Sequence, residues 1–224
     1  MIFCHGTDFV RLTTGWERGT IKRKAKLLCK KVNETKGTIM LKHKMTIAGL
    51  ERELPICRVN DDLYIGAFVI FGDVELTVAC ARDLLKIAPE YDYMITAESK
   101  GIPLAYEMAR QAGDSKWFLA RKAPKLYMRN VFGVEVKSIT TAAVQKLYLD
   151  GDDAAMIRGK RILIVDDVIS TGESLRALEE LVKEAGGMIA GRMAILAEGD
   201  AQEREDIRYL EKLPLFNAKG EIIG

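Results

Sequence analysis

Histidine and cysteine are scarce in this chain of 224 residues, which contains two histidines and four cysteines. Both histidines, His5 and His43, lie near the N-terminus, which argues against a catalytic triad and against a histidine-rich metal site. The cysteines form no C-x-x-C pair. We therefore expect buried, reduced thiols, as in a cytoplasmic protein, and not disulfides or metal ligands.

Long apolar runs and targeting signals are also missing. No apolar stretch approaches the roughly 20 residues that a membrane-spanning helix needs, and the first residues, MIFCHGTD, lack the pattern of a signal peptide. No G-x-x-x-x-G-K-[ST] loop occurs, so the sequence gives no support to nucleotide hydrolysis. A hydrophobic content of 48% with 29% charged residues is ordinary for a globular protein without a membrane partner.

The net charge of +2 hides an uneven distribution. Residues 1–50 are strongly basic, and their lysines and arginines concentrate in residues 18–44, where acids are few. Such a segment can bind nucleic acid or the acidic face of a partner. The simpler alternative, which we favour, is a solvated basic surface.

The stretch RILIVDDVISTGES, residues 161–174, organises the predicted fold. Its branched apolar residues indicate a strand buried on both faces, as in a parallel sheet. We expect this strand to end at Asp166 and Asp167 and to be followed by a Ser/Thr/Gly turn and a helix. The spacing of Ser170 and Glu173 predicts a capping box. Because a helix N-terminus suits a phosphate, and acids suit hydroxyl groups, this stretch predicts a site for a phosphorylated sugar.

Strands and helices alternate before and after this stretch. A helical pattern begins at Asp73 and another at Pro103, and each is followed by a short apolar strand. This alternation implies β-α-β units. The predicted fold class is α/β, with a mostly parallel central sheet flanked by helices. We assign this core to residues 73–224, and residues 1–72 to a basic N-terminal extension and a small hood.

Polar residues stand at the ends of three predicted strands. They are Glu98-Ser99-Lys100-Gly101, Arg121-Lys122 with Lys125 close behind, and Asp166-Asp167 with the turn that follows. In a parallel sheet these three strand ends lie along one edge. Cations in two loops and a phosphate socket in the third fit a ligand with several phosphates, whose charge Mg²⁺ would offset.

These motifs resemble those of the type I phosphoribosyltransferases. Residues 162–174 resemble the fingerprint with which that family binds phosphoribosyl diphosphate (PRPP), and residues 97–101 resemble its pyrophosphate loop. Arg121 to Leu126, R-K-A-P-K-L, resembles the R-K-x-x-K-L element of adenine phosphoribosyltransferases. The three motifs stand in the family's order over residues 73–196, and the resemblance fades before residue 50.

The resemblance implies a role for each matching residue. Asp166 and Asp167 would bind the ribose hydroxyls and favour a cation-like transition state at C1, and Lys100 and Arg121 would complete the catalytic set. Mg²⁺ would bind PRPP and water near the two aspartates, without a direct protein ligand. The PRPP-binding residues would be Glu98, Ser99, Lys100, Gly101, Arg121, Lys122, Lys125, Asp166, Asp167, Ser170, Thr171, Gly172, Glu173 and Ser174.

For the acceptor base the resemblance implies less. Val168 matches the position on which the purine stacks, and residues 70–73 partly resemble a hood element that stacks adenine, so Phe71 and Phe68 are candidate base contacts or core residues. The 127–150 segment lacks the Leu-Glu-Tyr-Gly stretch of adenine enzymes, and residues 138–140, Ser-Ile-Thr, are similar to the Ser-Phe-Thr of xanthine enzymes. Adenine is favoured, and other purines remain alternatives.

The implied function is transfer of a 5-phosphoribosyl group from PRPP to a purine in nucleotide salvage, with Mg²⁺ required and pyrophosphate released. Residues 127–150, a long loop or hairpin, would close over the reactants to exclude water, and homodimers are usual in the family. The alternative is a PRPP-sensing regulator that uses its basic segment on nucleic acid, but residues 1–60 show no helix-turn-helix pattern. A response-regulator receiver domain needs about twice the chain length that follows Asp167.

Overall fold

The computed structural model of the protein describes residues 41–137 and 144–223. Most of the basic segment at residues 18–44 therefore lies outside the described residues, as does the Ser-Ile-Thr motif at residues 138–140. Within the described ranges no helix is long and apolar enough to cross a bilayer.

The described residues form eleven strands and four α-helices. The strands are β1 Lys42–Ile47, β2 Leu50–Arg58, β3 Tyr64–Gly66, β4 Tyr93–Ala97, β5 Phe118–Ala120, β6 Phe132–Lys137, β7 Val144–Leu149, β8 Arg161–Ile169, β9 Met188–Glu198, β10 Arg208–Leu213 and β11 Leu215–Phe216. The helices are α1 Val74–Ile87, α2 Ile102–Ala112, α3 Gly151–Ile157 and α4 Glu173–Glu184, and a 3₁₀ turn covers Gly199–Glu203.

A five-stranded parallel sheet in the order β10-β9-β8-β4-β5 forms the centre of the fold. The first hydrophobic cluster includes Ile162 and Ile164 of β8 together with Leu178 of α4. The second hydrophobic cluster includes Leu163 of β8, apolar residues of α1 and α2, and side chains of a smaller sheet. Because alternate residues of β8 enter different clusters, the strand is buried on both faces. The predicted α/β class, with a parallel sheet flanked by helices, is confirmed.

The end of β8 differs from the prediction. The strand does not stop at Asp166 and Asp167 but continues to Ile169, because β9 pairs with it that far. On the other side, β4 pairs with β8 only up to Ile164. The two acids therefore lie within the strand, at a place where the neighbour on one side has already ended. This leaves an opening at the carboxyl edge of the sheet.

The first two helices begin as the sequence predicts. Asp73 caps α1, since its Oδ1 accepts a hydrogen bond of 3.0 Å from the Leu76 amide. Pro103 stands in the first turn of α2, and Gly113 ends that helix with a left-handed φ of 78°. These signals depend only on neighbouring residues, which explains why the sequence alone was sufficient to place them.

The capping box predicted for α4 is wrong. The helix begins at Glu173, and its N-cap is Gly172, whose φ is 75°. Ser170 therefore lies two residues before the cap and cannot form the box with Glu173. The left-handed glycine turns the chain into the helix in place of a capping side chain.

A smaller antiparallel sheet in the order β1-β2-β3-β11 forms no strand pairs with the parallel one within the described residues. Residues 42–66 supply three of its strands, and Leu215 and Phe216, near the C-terminus, pair with Ile65 and Tyr64. The predicted boundary between residues 72 and 73 falls between this sheet and α1. The pairing of β11 adds C-terminal residues to the small sheet, which no local sequence pattern indicates.

Strands β6 and β7 form a hairpin inside the segment 127–150, for which a loop or hairpin was expected. The backbone of Tyr148 in this hairpin exchanges two hydrogen bonds of 2.8 Å with the backbone of Arg121. The hairpin is therefore attached to the residue that follows β5. Closure over bound reactants stays a prediction.

Two cysteines lie in the described residues, and neither forms a disulfide. Cys80 is buried in the second hydrophobic cluster, and this burial raises the pKa of its thiol to about 12. Cys57 is exposed, so the expectation of a buried thiol is wrong at that position. Its strand, β2, belongs to the small sheet, of which only part packs against the core.

Candidate active site

The three polar strand ends predicted from the sequence come together in the structure. Strands β4, β5 and β8 run parallel, so the segments that follow β4 and β5 lie at the same edge as the acids of β8. Lys100 Nζ, after β4, is 3.5 Å from Asp167 Oδ2 of β8. Glu98 Oε1, also after β4, accepts a hydrogen bond of 3.0 Å from Arg121 Nη1. The loop at residues 98–101 therefore contacts both other elements.

The acid pair carries negative charge that the described residues compensate only in part. Asp167 is 4% exposed, and its Oδ2 accepts no hydrogen bond within the described part of the chain, although Lys100 lies at ion-pair distance. Asp166 Oδ1 accepts a hydrogen bond of 2.9 Å from the Asp167 amide. Burial, and secondarily the charge of Asp167, raise the pKa of the Asp166 carboxyl well above its usual range. This pair is suited to hydroxyl donors and to a cation.

Gly101 permits the loop at residues 98–101 to lie against the acid pair. A β-carbon at this position would be 2.2 Å from Thr96 Oγ1 and 3.2 Å from Asp166 Oδ1, so no larger residue fits without a shift. Thr96 is fully buried, and its hydroxyl has no hydrogen-bond partner among the residues described. Close packing at Gly101 thus sets the position of Lys100 next to Asp167.

Glu98 holds the basic loop that follows β5. Its Oε1 lies 3.0 Å from Arg121 Nη1 and 3.7 Å from Lys125 Nζ, and its Oε2 accepts a hydrogen bond of 3.1 Å from the Lys122 amide. These donors, with the Lys122 amide foremost, lower the pKa of the Glu98 carboxyl. Arg121 Nη2 also donates to the Tyr127 hydroxyl at 3.0 Å. The Arg121 guanidinium is therefore engaged with protein groups, whereas Lys122 is exposed.

The turn at residues 170–174 forms one wall of a pocket. The pocket is lined by every residue of this turn, by Asp166, Val168 and Ile169 of β8, and by Leu175 of α4. Because α4 begins at Glu173, its first amides lack intrahelical partners and the positive end of its dipole lies at this turn. The pocket is suited to an anion such as a phosphate group.

Two residues at this edge were not singled out from the sequence. Arg204 Nη1 would lie 3.1 Å from a β-carbon at Gly172, and Asp206 holds the same guanidinium through hydrogen bonds of 2.8 Å to Nε and 2.7 Å to Nη2. Glu198 is the last residue of β9, and burial raises the pKa of its carboxyl, an effect that the charge of Lys100 opposes. Asp167 was identified as a polar residue at the end of a predicted strand, and the same criterion could have identified Glu198. No sequence signal indicates Arg204.

The candidate base contacts occupy different environments. Val168 is half-buried, lines the pocket and packs against the second hydrophobic cluster. Phe68 is 4% exposed within that cluster, which favours its role as a core residue. Phe71 is 49% exposed and precedes Gly72, whose φ is 85°. Val168 and Phe71 therefore stay the candidates with a surface available to a base.

Comparison with known proteins identifies the family. A model of the phosphoribosyl transferase domain matches residues 79–218, more than half of the chain, and the chain belongs to this family. It is 29% identical over 150 residues to a hypoxanthine/guanine phosphoribosyltransferase of Methanothermococcus okinawensis, covering 64% of this chain and 78% of that protein. It is 32% identical over 127 residues to an adenine phosphoribosyltransferase of Bifidobacterium longum, covering 53% and 58%.

The fold is similar to that of solved members of the family. An adenine phosphoribosyltransferase from Thermoanaerobacter pseudethanolicus superposes with a TM-score of 0.55 and 23% identity, covering 64% of this chain and 84% of that one. At this identity the similarity concerns the fold. The match to the family model confirms the family resemblance inferred from the three motifs, and the nature of the base is left to chemical reasoning.

Proposed function

We propose that the protein is a purine phosphoribosyltransferase, which transfers the 5-phosphoribosyl group of PRPP to a purine base and releases pyrophosphate. One observation carries the proposal. The buried Asp167 carboxylate, with an oxygen that accepts no hydrogen bond in the described chain, lies 3.5 Å from Lys100 and next to the pocket of the 170–174 turn. A single edge thus offers acceptors for hydroxyls, a cation for pyrophosphate and amides for phosphate.

In this proposal each part of PRPP has a binding group. The 5′-phosphate enters the pocket of the 170–174 turn, where the α4 amides bind it and Arg204, close to Gly172, adds positive charge. The ribose hydroxyls donate to Asp166 and Asp167. The pyrophosphate then reaches the loop at residues 98–101 with Lys100, and the basic loop at residues 121–125.

The reaction breaks the bond between C1 and the pyrophosphate oxygen, and the electron pair leaves with the pyrophosphate. A purine ring nitrogen forms the new bond to C1 and gives up its proton. The carboxylates of Asp166 and Asp167 stabilise the positive charge that develops on the ribose, and Lys100 stabilises the leaving group. Arg121 takes part only if it exchanges its contacts with Glu98 or Tyr127 for the pyrophosphate.

Mg²⁺ fits this site. Mg²⁺ usually retains several waters, which carboxylates can bind as hydrogen-bond acceptors. The acid pair has a buried oxygen without a hydrogen bond in the described residues, and the pKa of Asp166 is raised by burial and by like charge. The ion would be held near Asp166 and Asp167 through PRPP and water. It would supply charge compensation for the pyrophosphate.

Adenine is our first choice of base, because the basic loop at residues 121–126 has the R-K-x-x-K-L pattern. Hypoxanthine or guanine is the second candidate, because a relative that shares 29% identity is named for these bases. A homodimer and a cytoplasmic location, both expected from the sequence and the resemblance, belong to the same proposal. The regulator alternative is not carried further, because the relatives reported above are named as transferases.

The test is pyrophosphate release from PRPP and Mg²⁺ with a panel of adenine, hypoxanthine, guanine, xanthine, uracil and orotate. We expect turnover with adenine, or with another purine if our first choice is incorrect. Turnover with orotate or uracil alone would make the protein a pyrimidine enzyme. If none of the bases leads to pyrophosphate release, the proposed enzymatic activity is refuted.

A further inference from the structure

We propose that Arg52, Asp73 and Glu75 form a latch that attaches the small sheet to the start of α1 and thereby positions the acceptor-base side of the active site. The part that concerns the base rests on the proposed function. Arg52 is a positioning residue in this proposal, because it acts through the protein and not through contact with a substrate.

The geometry of the latch is that of a strong ion pair. Arg52 Nε donates to Asp73 Oδ2 at 2.6 Å, and Arg52 Nη2 donates to Asp73 Oδ1 at 3.0 Å and to Glu75 Oε2 at 2.9 Å. The remaining nitrogen, Nη1, donates to the Glu51 carbonyl at 2.9 Å. Two parallel hydrogen bonds between a guanidinium and a carboxylate fix both distance and orientation. The side chains of Arg52 and Asp73 are 24% and 29% exposed, so water screens this pair less than a surface pair.

The latch closes a loop in the chain. Arg52 lies in β2, and Asp73 is the residue at which the connector from β3 enters α1. Asp73 also caps α1 through the Leu76 amide, and Arg52 is the largest cause that lowers the pKa of its carboxyl. A single carboxylate therefore ties the small sheet and the helix start together. Residues 53–72 are enclosed between the two partners.

The enclosed connector, residues 67–72, shares the second hydrophobic cluster with Val168, a candidate base contact. Its Phe68 and Ile70 pack in the second hydrophobic cluster, against which Val168 also packs, and its Phe71 is exposed. A loosened latch lets the small sheet and the connector shift against Val168. In contrast, Asp166 and Asp167 belong to β8, which β9 holds by backbone hydrogen bonds through Ile169. We therefore expect the latch to affect the base and not PRPP.

The first experiment compares KM values for the two substrates in Arg52→Met. We expect KM for the base to rise roughly three- to tenfold, the range for loss of a partly buried ion pair, while KM for PRPP changes less than about twofold. Arg52→Lys keeps the charge without the two parallel hydrogen bonds, so we expect an intermediate value. Equal changes in both KM values, or no change in either, would overturn the proposal.

A matched control lies next to Arg52 on the same strand. Glu53 pairs with Lys42 at 2.9 Å and with Lys44 at 3.6 Å, which joins β2 only to β1. Glu53→Gln removes these surface pairs without touching the latch. We expect both KM values to remain within about twofold of the parent. A rise in KM for the base in Glu53→Gln as large as that in Arg52→Met would show a general effect of the sheet's stability.

Hydrogen–deuterium exchange tests the latch independently of activity. In Arg52→Met, amides of residues 67–73 should exchange faster, while those of residues 161–169 in β8 keep their protection. Unchanged exchange in the connector would refute the latch itself. A third outcome separates the two parts of the proposal. If Arg52→Met speeds exchange in the connector but the parent protein transfers no phosphoribosyl group, the latch is supported and the part concerning the base is refuted.

Discussion

The two sides of the candidate site are held in place by different kinds of contact. On the PRPP side, Asp166 and Asp167 belong to a strand whose backbone is paired through Ile169, and the 170–174 turn follows in the same peptide. On the base side, the described strands of the small sheet do not pair with the parallel sheet, although the Pro55 carbonyl of β2 accepts a backbone hydrogen bond of 2.8 Å from Ala67 of the connector. Apolar side chains and the Arg52 latch join the small sheet to the core. Strand pairing within the parallel sheet holds the first side, and mainly side-chain contacts hold the second.

This difference predicts which side a single substitution can alter. A side-chain contact is lost when one partner is replaced, whereas backbone pairing in a parallel sheet does not depend on any one side chain. Two relatives of this chain are named as a hypoxanthine/guanine and as an adenine phosphoribosyltransferase, so their names differ in the base and share the phosphoribosyl group. We therefore expect substitutions on the PRPP side to abolish transfer and those on the base side to change its specificity.

The largest effect is expected for Asp167→Asn on the PRPP side. Removal of the buried charge that the proposed function places near C1 should lower transferase activity at least about a hundredfold, because the proposed cation-like transition state loses an anion that stabilises it. Pyrophosphate release measures the loss, and circular dichroism checks the fold. Asp62→Asn, at an exposed position of the connection between β2 and β3, is the control and should be fully active. Full activity of Asp167→Asn would remove the role that we assign to its carboxylate.

Gly101→Ala should show how tightly the PRPP side is packed. The new methyl group would lie 2.2 Å from the buried Thr96 hydroxyl, and overpacking of this kind destabilises a fold by about 1–3 kcal/mol. We expect a lower urea midpoint. We also expect roughly tenfold weaker PRPP binding, a loss of about 1.4 kcal/mol in binding free energy, because the loop with Lys100 has to shift away from the acid pair. Thr96→Ala in the same protein removes the clashing hydroxyl and should restore part of the loss. If the single variant binds PRPP as well as the parent, the loop is not packed as described.

Arg204→Gln should separate the 5′-phosphate from the pyrophosphate within the PRPP side. We expect ribose 5-phosphate to bind roughly three- to tenfold more weakly, and pyrophosphate to bind as before, because Arg204 lies next to Gly172 of the 170–174 turn. Isothermal titration measures both. Arg208→Gln is the matched control, since this arginine lies at the start of β10 and bonds the Ile87 carbonyl. If Arg204→Gln weakens the binding of pyrophosphate and not that of ribose 5-phosphate, Arg204 belongs to the pyrophosphate subsite.

The smallest effect is expected in the pH dependence of stability. Folding raises the pKa of Asp166, so the stability associated with its protonated form is complete below its unfolded pKa near 4 and is lost as pH rises through the folded value. Asp166→Asn should therefore melt at least about 2 °C higher than the parent at pH 8 and show little difference at pH 4. Thermal melts without ligand provide the measurement. A variant that is less stable than the parent at pH 8 would contradict the sign of this shift.

Much of the PRPP side could be predicted from the sequence. Residues 161–174 contain the strand, the turn and the helix start in one peptide, and patterns of neighbouring residues are enough to recognise them. The errors are local too, because Gly172 and not Ser170 caps α4 and because β9 extends β8 beyond the acids. The positive φ of Gly172 set the start of α4, and pairing with β9 set the end of β8. Neither follows from the chemistry of the side chains.

The base side could be predicted only in part. Phe68 and Phe71 stand three residues apart with the same kind of side chain, but one is in the core and the other is at the surface. No sequence motif marks Arg52 as a partner of Asp73, and none predicts that β11 pairs with β3. Contacts of this kind join residues far apart in the chain, so no window of sequence contains both partners.

By itself, the sequence determined the α/β class, the strand-turn-helix with its two acids, and the polar loops at the ends of β4 and β5. Each of these depends on the periodicity and chemistry of consecutive residues. Only the tertiary structure decided that Lys100 meets Asp167, that Arg204 stands next to Gly172 and that Arg52 holds Asp73. The physical reason is that these contacts arise when packing of the whole chain brings distant side chains within a few ångströms of one another.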